Sequence, residues 1–208
     1  MIHNLQLHIK CGLLTPENLR ILCEIIDKYG LQGLKFPASE RISLLGIRDG
    51  DEDKIAGELG GLHEASSSHT AIIVKACPGN TSCKRGQQNS FELGLKLEEE
   101  FHGRVLPAKF TIGVSGCPNQ CMETCIKDLG FVGFQKGWKI MIGGNGGSNP
   151  RLSTELIGNI STDEALKIAR KVVEYFSLNG KAHRRLGSII DNLGFDEVRN
   201  GILGSEEK

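Results

Sequence analysis

Four cysteines stand in two close pairs, Cys77-x5-Cys83 and Cys117-x3-Cys121, inside the stretches ACPGNTSCKRG and VSGCPNQCMETC. Two close pairs on separate loops can hold one inorganic object from two sides, and thiolate is the ligand that iron–sulfur clusters take. The expected centre is a 4Fe-4S cluster. Zinc is the alternative that four thiols leave open, although structural zinc sites favour gaps of about two to four residues in both halves and the first gap here is wider. Pro78 and Gly79, and Gly116 and Pro118, flank the sulfurs and favour tight turns that bring backbone close to them. Cys125, one helical turn past Cys121, reads as a small buried hydrophobe, and Cys11 and Cys23 as thiols without a role.

The rest of the composition narrows what those sulfurs can mean. A chain of 208 residues can bury a core without disulfides, and its seven cysteines are an odd number. The opening MIHNLQLHIK is too polar for a secretory leader, and apolar runs elsewhere are short. A soluble, reducing, cytoplasmic setting is expected, where clustered cysteines mean metal more often than disulfide. Net charge is +0 and the basic residues are scattered, so nucleic acid and membrane surfaces are not expected partners. A small molecule or another protein is.

The elements that must position the cysteines form two units. In the first, residues 1–65, NLQLHIK alternates as a half-buried strand from Asn4 to Lys10. A helix follows, with Thr15 as cap, Pro16 in the first turn, a stripe of Leu19, Leu22, Ile25 and Ile26, and Gly30 at its close. Strands over Gly33 to Phe36 and Ile42 to Ile47 and a helix over Asp49 to Leu59 complete a small α+β sandwich. Gly60, Gly61 and Ala65 to His69 read as a linker. The second unit, residues 66–208, has a strand from Ala71 to Lys75, a helix from Lys84 to Phe101 and a strand from Phe110 to Val114. Both cysteine pairs thus follow strand ends, where sites are commonly built. Strands at Phe131 to Gln135 and Lys139 to Ile142, a turn GGNGGSNP, and two or three helices from Thr162 onward finish the chain.

The set C-x5-C, GCPN-x-C, a KF shortly before the second pair and a GGN turn after it resembles the sulfite and nitrite reductase family, in a small single-copy form. The likeness runs along nearly the whole chain. It implies a ferredoxin-like half-domain followed by a domain that binds a 4Fe-4S cluster and a sirohaem. Cys77, Cys83, Cys117 and Cys121 would hold the cluster, with Cys121 also bound to the sirohaem iron. Sirohaem carboxylates need cations or backbone donors when buried, and Asn145 and Arg151 are the foremost matches for that role. Lys84, Arg85, Arg104 and Asn119 of the GCPN motif are further candidates.

The substrate side departs from the pattern. Where the family carries an arginine in a T-x-R-Q-like stretch, this chain has Ser39 within Pro37-Ala38-Ser39-Glu40. Where the family has a K-F-K lysine pair, it has Lys109-Phe110-Thr111. Lys109 is retained, and Lys75 and Arg41 are the cations placed to compensate, since an oxyanion losing oxygen needs electrostatic help.

The implied activity is multi-electron reduction of a small oxyanion, sulfite or nitrite, with electrons from a redox protein such as a ferredoxin. An alternative is a 4Fe-4S electron-transfer protein or subunit that has lost its substrate-binding cations, which Ser39 and Thr111 favour. A third is a carrier of the tetrapyrrole. Gly143-Gly144-Asn145-Gly146-Gly147 lacks the Lys-Ser/Thr of a phosphate loop, so nucleotide binding is not expected. With one copy of each unit, the chain is expected to form a homodimer.

Overall fold

The computed structural model describes residues 2–36, 42–63 and 72–204. It divides into two units, Met1–Ser67 and Ser68–Lys208. In the first, the strands β1 (Ile2–Gln6), β2 (Gly33–Lys35) and β3 (Ser43–Arg48) form an antiparallel sheet in the order β1-β3-β2. Two helices, α1 (Pro16–Tyr29) and α2 (Glu52–Leu59), complete the unit. The start of α1 follows from local chemistry. Thr15 Oγ1 accepts from Asn18 N at 3.2 Å, Asn18 Oδ1 accepts from Thr15 N at 3.1 Å, and Pro16 occupies the first turn, where no amide is needed. Leu22 and Ile25 of α1, Ile55 and Leu59 of α2, and Leu44 and Ile47 of β3 share one core.

Some expectations here shift. Leu19 stands 45% exposed, so the buried stripe of α1 is narrower than its apolar residues suggest. The first strand ends at Gln6, because Leu7 pairs instead with His63 and Cys11 turns the chain in the left-handed region at φ 47. Ser39 and Arg41 lie outside the described residues.

The second unit is built on five strands, β4 (Ile72–Ala76), β5 (Phe110–Ser115), β6 (Leu129–Phe134), β7 (Gly137–Ile142) and β8 (Thr154–Ile160), hydrogen-bonded in that order. The first three run parallel, and the last two add antiparallel neighbours. The helix α3 (Ser90–Phe101) makes the crossover from β4 to β5 that a parallel pair requires. The helices α4 (Thr162–Asn179), α5 (Leu186–Leu193) and α6 (Phe195–Leu203) close the chain. One sheet face packs on helices, α3 against β4 and β5 and α4 against β7. There Phe110 and Phe176 stack with ring centroids 5.3 Å apart, and Leu93, Leu97 and Phe101 are fully buried.

Two differences from the sequence reading stand out. The third helix begins at Ser90 and not at Lys84, because Asn89 caps it by accepting from Glu92 N at 3.1 Å. Strand β8 was not anticipated. Leu156 and Ile157 stand side by side and Asn159 sits at φ 58, so the period-two signal is broken. Among the described residues no helix is long and apolar enough to cross a membrane.

Candidate metal centre

Parallel pairing brings the two cysteine loops to one place. Ala76 of β4 registers with Val114 of β5, so the chain leaves both strands side by side at the same sheet edge. Cys77 follows β4 at once and Cys117 lies two residues beyond β5. The carboxyl ends of parallel strands are where open α/β sheets place ligands. Cys77 N donates to Val114 O at 3.1 Å, carrying the ladder one residue further.

The sulfur of Cys77 is already solvated by the second loop. Gly116 N donates to Cys77 Sγ at 3.2 Å, and Ser90 Oγ lies 3.1 Å from the same sulfur while also donating to Cys77 O at 2.8 Å. The thiolate is the form in which cysteine binds metal. Around this contact the loops meet backbone to backbone. Gln87 N and Gln88 N both donate to Gly116 O, at 2.7 and 3.0 Å, and Gln88 Nε2 donates to Phe134 O at 2.7 Å. A Cβ on Gly116 would lie 2.7 Å from Gln88 O and 2.8 Å from the Cα of Gly79. The sequence therefore needs glycine at position 116, where a methyl group has no room.

The remaining ligand candidates line the turn that follows. Cys83 N donates to Gly79 O at 2.9 Å, which closes the first loop. Gln120 N donates to Cys117 O at 3.3 Å, and Gln120 itself is left-handed at φ 49. Met122 N then donates to Ser115 Oγ at 3.1 Å, folding Cys121 back toward the end of β5. Cys117 is buried, Cys77 half-buried, and Cys83 and Cys121 exposed. Four thiols on two loops that share a backbone-to-sulfur hydrogen bond are a donor set that suits a multi-iron cluster.

Past Cys121 the chain returns across the sheet face opposite α3, where Gly113 meets Met122, Thr124 and Lys127. Lys75 registers with Gly113 and so projects to that same face. It is buried to 9% exposure, and Lys127 to 8%. Lys127 Nζ pairs with Glu123 Oε2 at 2.8 Å. That hydrogen bond, with the charges of Lys127 and then Lys75, holds the Glu123 carboxyl below its ordinary value. Lys127 and Glu123 were not singled out from sequence. Their four-residue spacing reads as an exposed helical ion pair, and only the fold brings them alongside Lys75.

The other candidates are dispersed. Lys109 precedes β5, and about 20 Å of strand separates it from Ser115, so the structure does not bring it beside the cysteines. Lys84 and Arg85 are exposed next to Cys83, and Asn119 is exposed between Cys117 and Cys121. Arg104, past the far end of α3, lies over the Phe101 ring at 5.9 Å. Asn145 and Arg151 pair across the Gly-rich turn through Asn145 N to Arg151 O at 2.9 Å and Arg151 N to Asn145 O at 2.8 Å. The turn joins the returning segment where Ser153 N donates to Cys125 O at 2.7 Å. Cys125 is half-buried there. Arg41 lies outside the described residues.

Comparison with known proteins adds to this geometry. Residues 67–208 match a family described as the nitrite and sulphite reductase 4Fe-4S domain, and residues 2–62 match the nitrite/sulfite reductase ferredoxin-like half domain. The chain is 35% identical over 195 residues to the assimilatory-type sulfite reductase of Nitratidesulfovibrio vulgaris, covering 93% of this chain and 89% of that protein. It is 32% identical over 197 residues to the NAD(P)H nitrite reductase of Bacillus subtilis, where 95% of this chain spans 24% of the relative. The crystal structure of dissimilatory sulfite reductase I superposes with a TM-score of 0.81 at 15% identity, covering 100% of this chain and 72% of that one, a likeness of fold.

Proposed function

We propose, for a chain that belongs to the nitrite and sulphite reductase family, that Cys77, Cys83, Cys117 and Cys121 hold a 4Fe-4S cluster, that Cys121 also binds the iron of a sirohaem, and that a small oxyanion is reduced there. The observation that carries this reading is the Gly116 amide on Cys77 Sγ, which fastens the two thiol loops to each other before any metal is considered. Sulfite is favoured over nitrite, since the relative matched along 89% of its length bears the name sulfite reductase.

The cofactors, when bound, supply the electron delivery, and the protein supplies position, charge and protons. Lys75, an ammonium buried beside the segment that begins at Cys121, is what an oxyanion or a polycarboxylate macrocycle would need as counter-charge, while Lys127 next to it is held by Glu123. Lys75 is preferred to Lys109 as the substrate cation because of that placement. Asn145 and Arg151, at the far end of the same segment, remain the proposed partners of the macrocycle's carboxylates, with Asn119 nearer the cysteines. Lys84 and Arg85, exposed beside Cys83, suit the acidic surface of a redox protein such as a ferredoxin. A homodimer is the proposed assembly.

A second reading, an electron carrier without catalysis, is favoured by Thr111. Its hydroxyl is committed to Asp128 and Arg185 and offers no cation where the family pattern has lysine. Metal and pigment content of anaerobically purified protein from a sirohaem-making host separates the two. About five irons with a Soret-type band, and turnover with a reduced viologen, support the reductase. About four irons and four sulfides without such a band support the carrier.

A further inference from the structure

The guanidinium of Arg151 is fixed from several sides. Its Nε donates to Asp191 Oδ1 at 3.0 Å, and its Nη1 donates to Gly143 O at 2.7 Å and to Leu152 O at 3.2 Å. The hydrogen on Nε and both on Nη1 are thereby committed. Among the described residues Nη2 has no hydrogen-bond partner, so its two hydrogens are what the fork has left to offer. The side chain is 23% exposed, which presents that nitrogen from a mostly buried stem.

Two glycines make the slot in which the arginine lies. Gly143 follows β7 directly, and Gly187 is in the first turn of α5. A Cβ on Gly143 would stand 2.8 Å from Arg151 Nη1, and a Cβ on Gly187 would stand 2.9 Å from Arg151 Cδ and 2.6 Å from Gly143 O. Neither position has room for a methyl group while the arginine keeps this course. Asp191 is four residues past Gly187, one turn along the same face of α5, and from there its carboxylate reaches Nε. The backbone at the root of the side chain is fixed as well, by the paired hydrogen bonds of Arg151 with Asn145.

We infer that Asp191, with Gly187 beside it on α5, is a positioning residue that holds Arg151 so that Nη2 alone is presented to a carboxylate of the sirohaem. This rests on the reading of Arg151 as a partner of the macrocycle. A loose arginine gives up rotamer freedom when it grips a carboxylate, and one already locked gives up little, so the gain appears as slower release. The same geometry requires arginine at position 151, because the single nitrogen of a lysine cannot both be held and donate onward in this way. Charge alone predicts the opposite effect of Asp191. It is exposed and its attraction for Arg151 is screened, yet its removal leaves the guanidinium less neutralised, which would tighten the hold on a carboxylate.

The rate at which sirohaem leaves the diluted holoprotein, followed by its Soret-type band, tests this. Asp191→Ala is expected to lose the macrocycle about fivefold faster than the parent, and Arg151→Gln faster still. Asp191→Asn keeps an acceptor oxygen for Nε and should stay within about twofold of the parent. Cluster iron should be equal in all of these proteins, and the cluster-loaded, sirohaem-free form of Asp191→Ala should unfold at the parent's denaturant midpoint. Release from Asp191→Ala at or below the parent's rate, with Arg151→Gln fast, overturns the positioning role alone. A lowered midpoint in Asp191→Ala makes the contact a structural tie and overturns that role too. Release from Arg151→Gln no faster than from the parent, or a parent without a Soret-type band, overturns both the role and the reading of Arg151 beneath it.

Discussion

Arg185 grips Asp128 with two nitrogens, Nε donating to Oδ1 at 2.9 Å and Nη2 to Oδ2. The carboxylate is fully buried at the start of β6, and Thr111 joins it through its amide at 2.7 Å and its hydroxyl at 2.8 Å. This cluster ties α5 to the sheet. Arg185→Met leaves a buried carboxylate without its cation, and a loss of about 3–5 kcal/mol in denaturant unfolding is expected. Adding Asp128→Asn should restore part of that loss. An unchanged midpoint in the single variant would show that the pair is not a structural tie.

Position 116 has no room for a methyl group. Gly116→Ala is expected to cost about 1–3 kcal/mol through forced separation of the two loops, and to lower bound iron well below the parent's. Ser90→Ala, which removes the hydroxyl that donates to Cys77 O and lies against its sulfur, should keep the iron but shift the cluster's midpoint potential. Redox titration followed by electron paramagnetic resonance would measure it.

The ligand set is testable by single replacement. Serine at Cys77, Cys83, Cys117 or Cys121 should each abolish or deplete the cluster, as judged by iron and acid-labile sulfide. Serine at Cys125 should leave both unchanged. Retention of a full cluster after loss of Cys121 would remove it from the set.

Lys75 and Lys109 predict opposite kinetics. Lys75→Met, conservative in shape at a buried site, should lower turnover of the oxyanion by about 10²–10³ with iron content intact. Lys109→Met, at the other end of β5, should change it only a few-fold. Equal losses in the two would place the substrate elsewhere.

The first unit should carry a small acid-side dependence from Glu58. Its carboxyl accepts from Lys28 Nζ at 2.7 Å and from Tyr29 OH at 2.7 Å, which hold it below its ordinary value of 4.5, the lysine bond first. A lowered folded value means stability that is present above the ordinary value and lost as pH falls through the folded one. Lys28 and Tyr29 are raised by the same contacts, so their share stands below 10.5 and 10.0 and is lost as pH rises through their folded values. Thermal unfolding of Glu58→Gln between about pH 6 and about pH 3 should show a shallower acid limb than the parent.

What the sequence disclosed was mostly local. The Thr15 cap and the strand ends before Cys77 and Cys117 followed from motifs and periodicity, and the fold of the two units from the family resemblance. What it hid was non-local or irregular. Arg185 and Asp128 are 57 positions apart, and nothing near either names the other. Lys127 and Glu123 look like a solvated pair until Lys75 is set beside them by strand register. The kink at Asn159 erased the alternation of β8.

One bond sets a timetable. Gln88 donates across the sheet to the carbonyl of Phe134, at the last residue of β6. All four thiols have been translated by Cys121, yet the first loop lacks this anchor until Phe134 has left the ribosome and β6 has aligned beside β5. The first thiol loop therefore gains this fastening only once β6 has been made, and a chain halted between Cys121 and Phe134 would carry all four sulfurs without the bond that holds Gln88 in place.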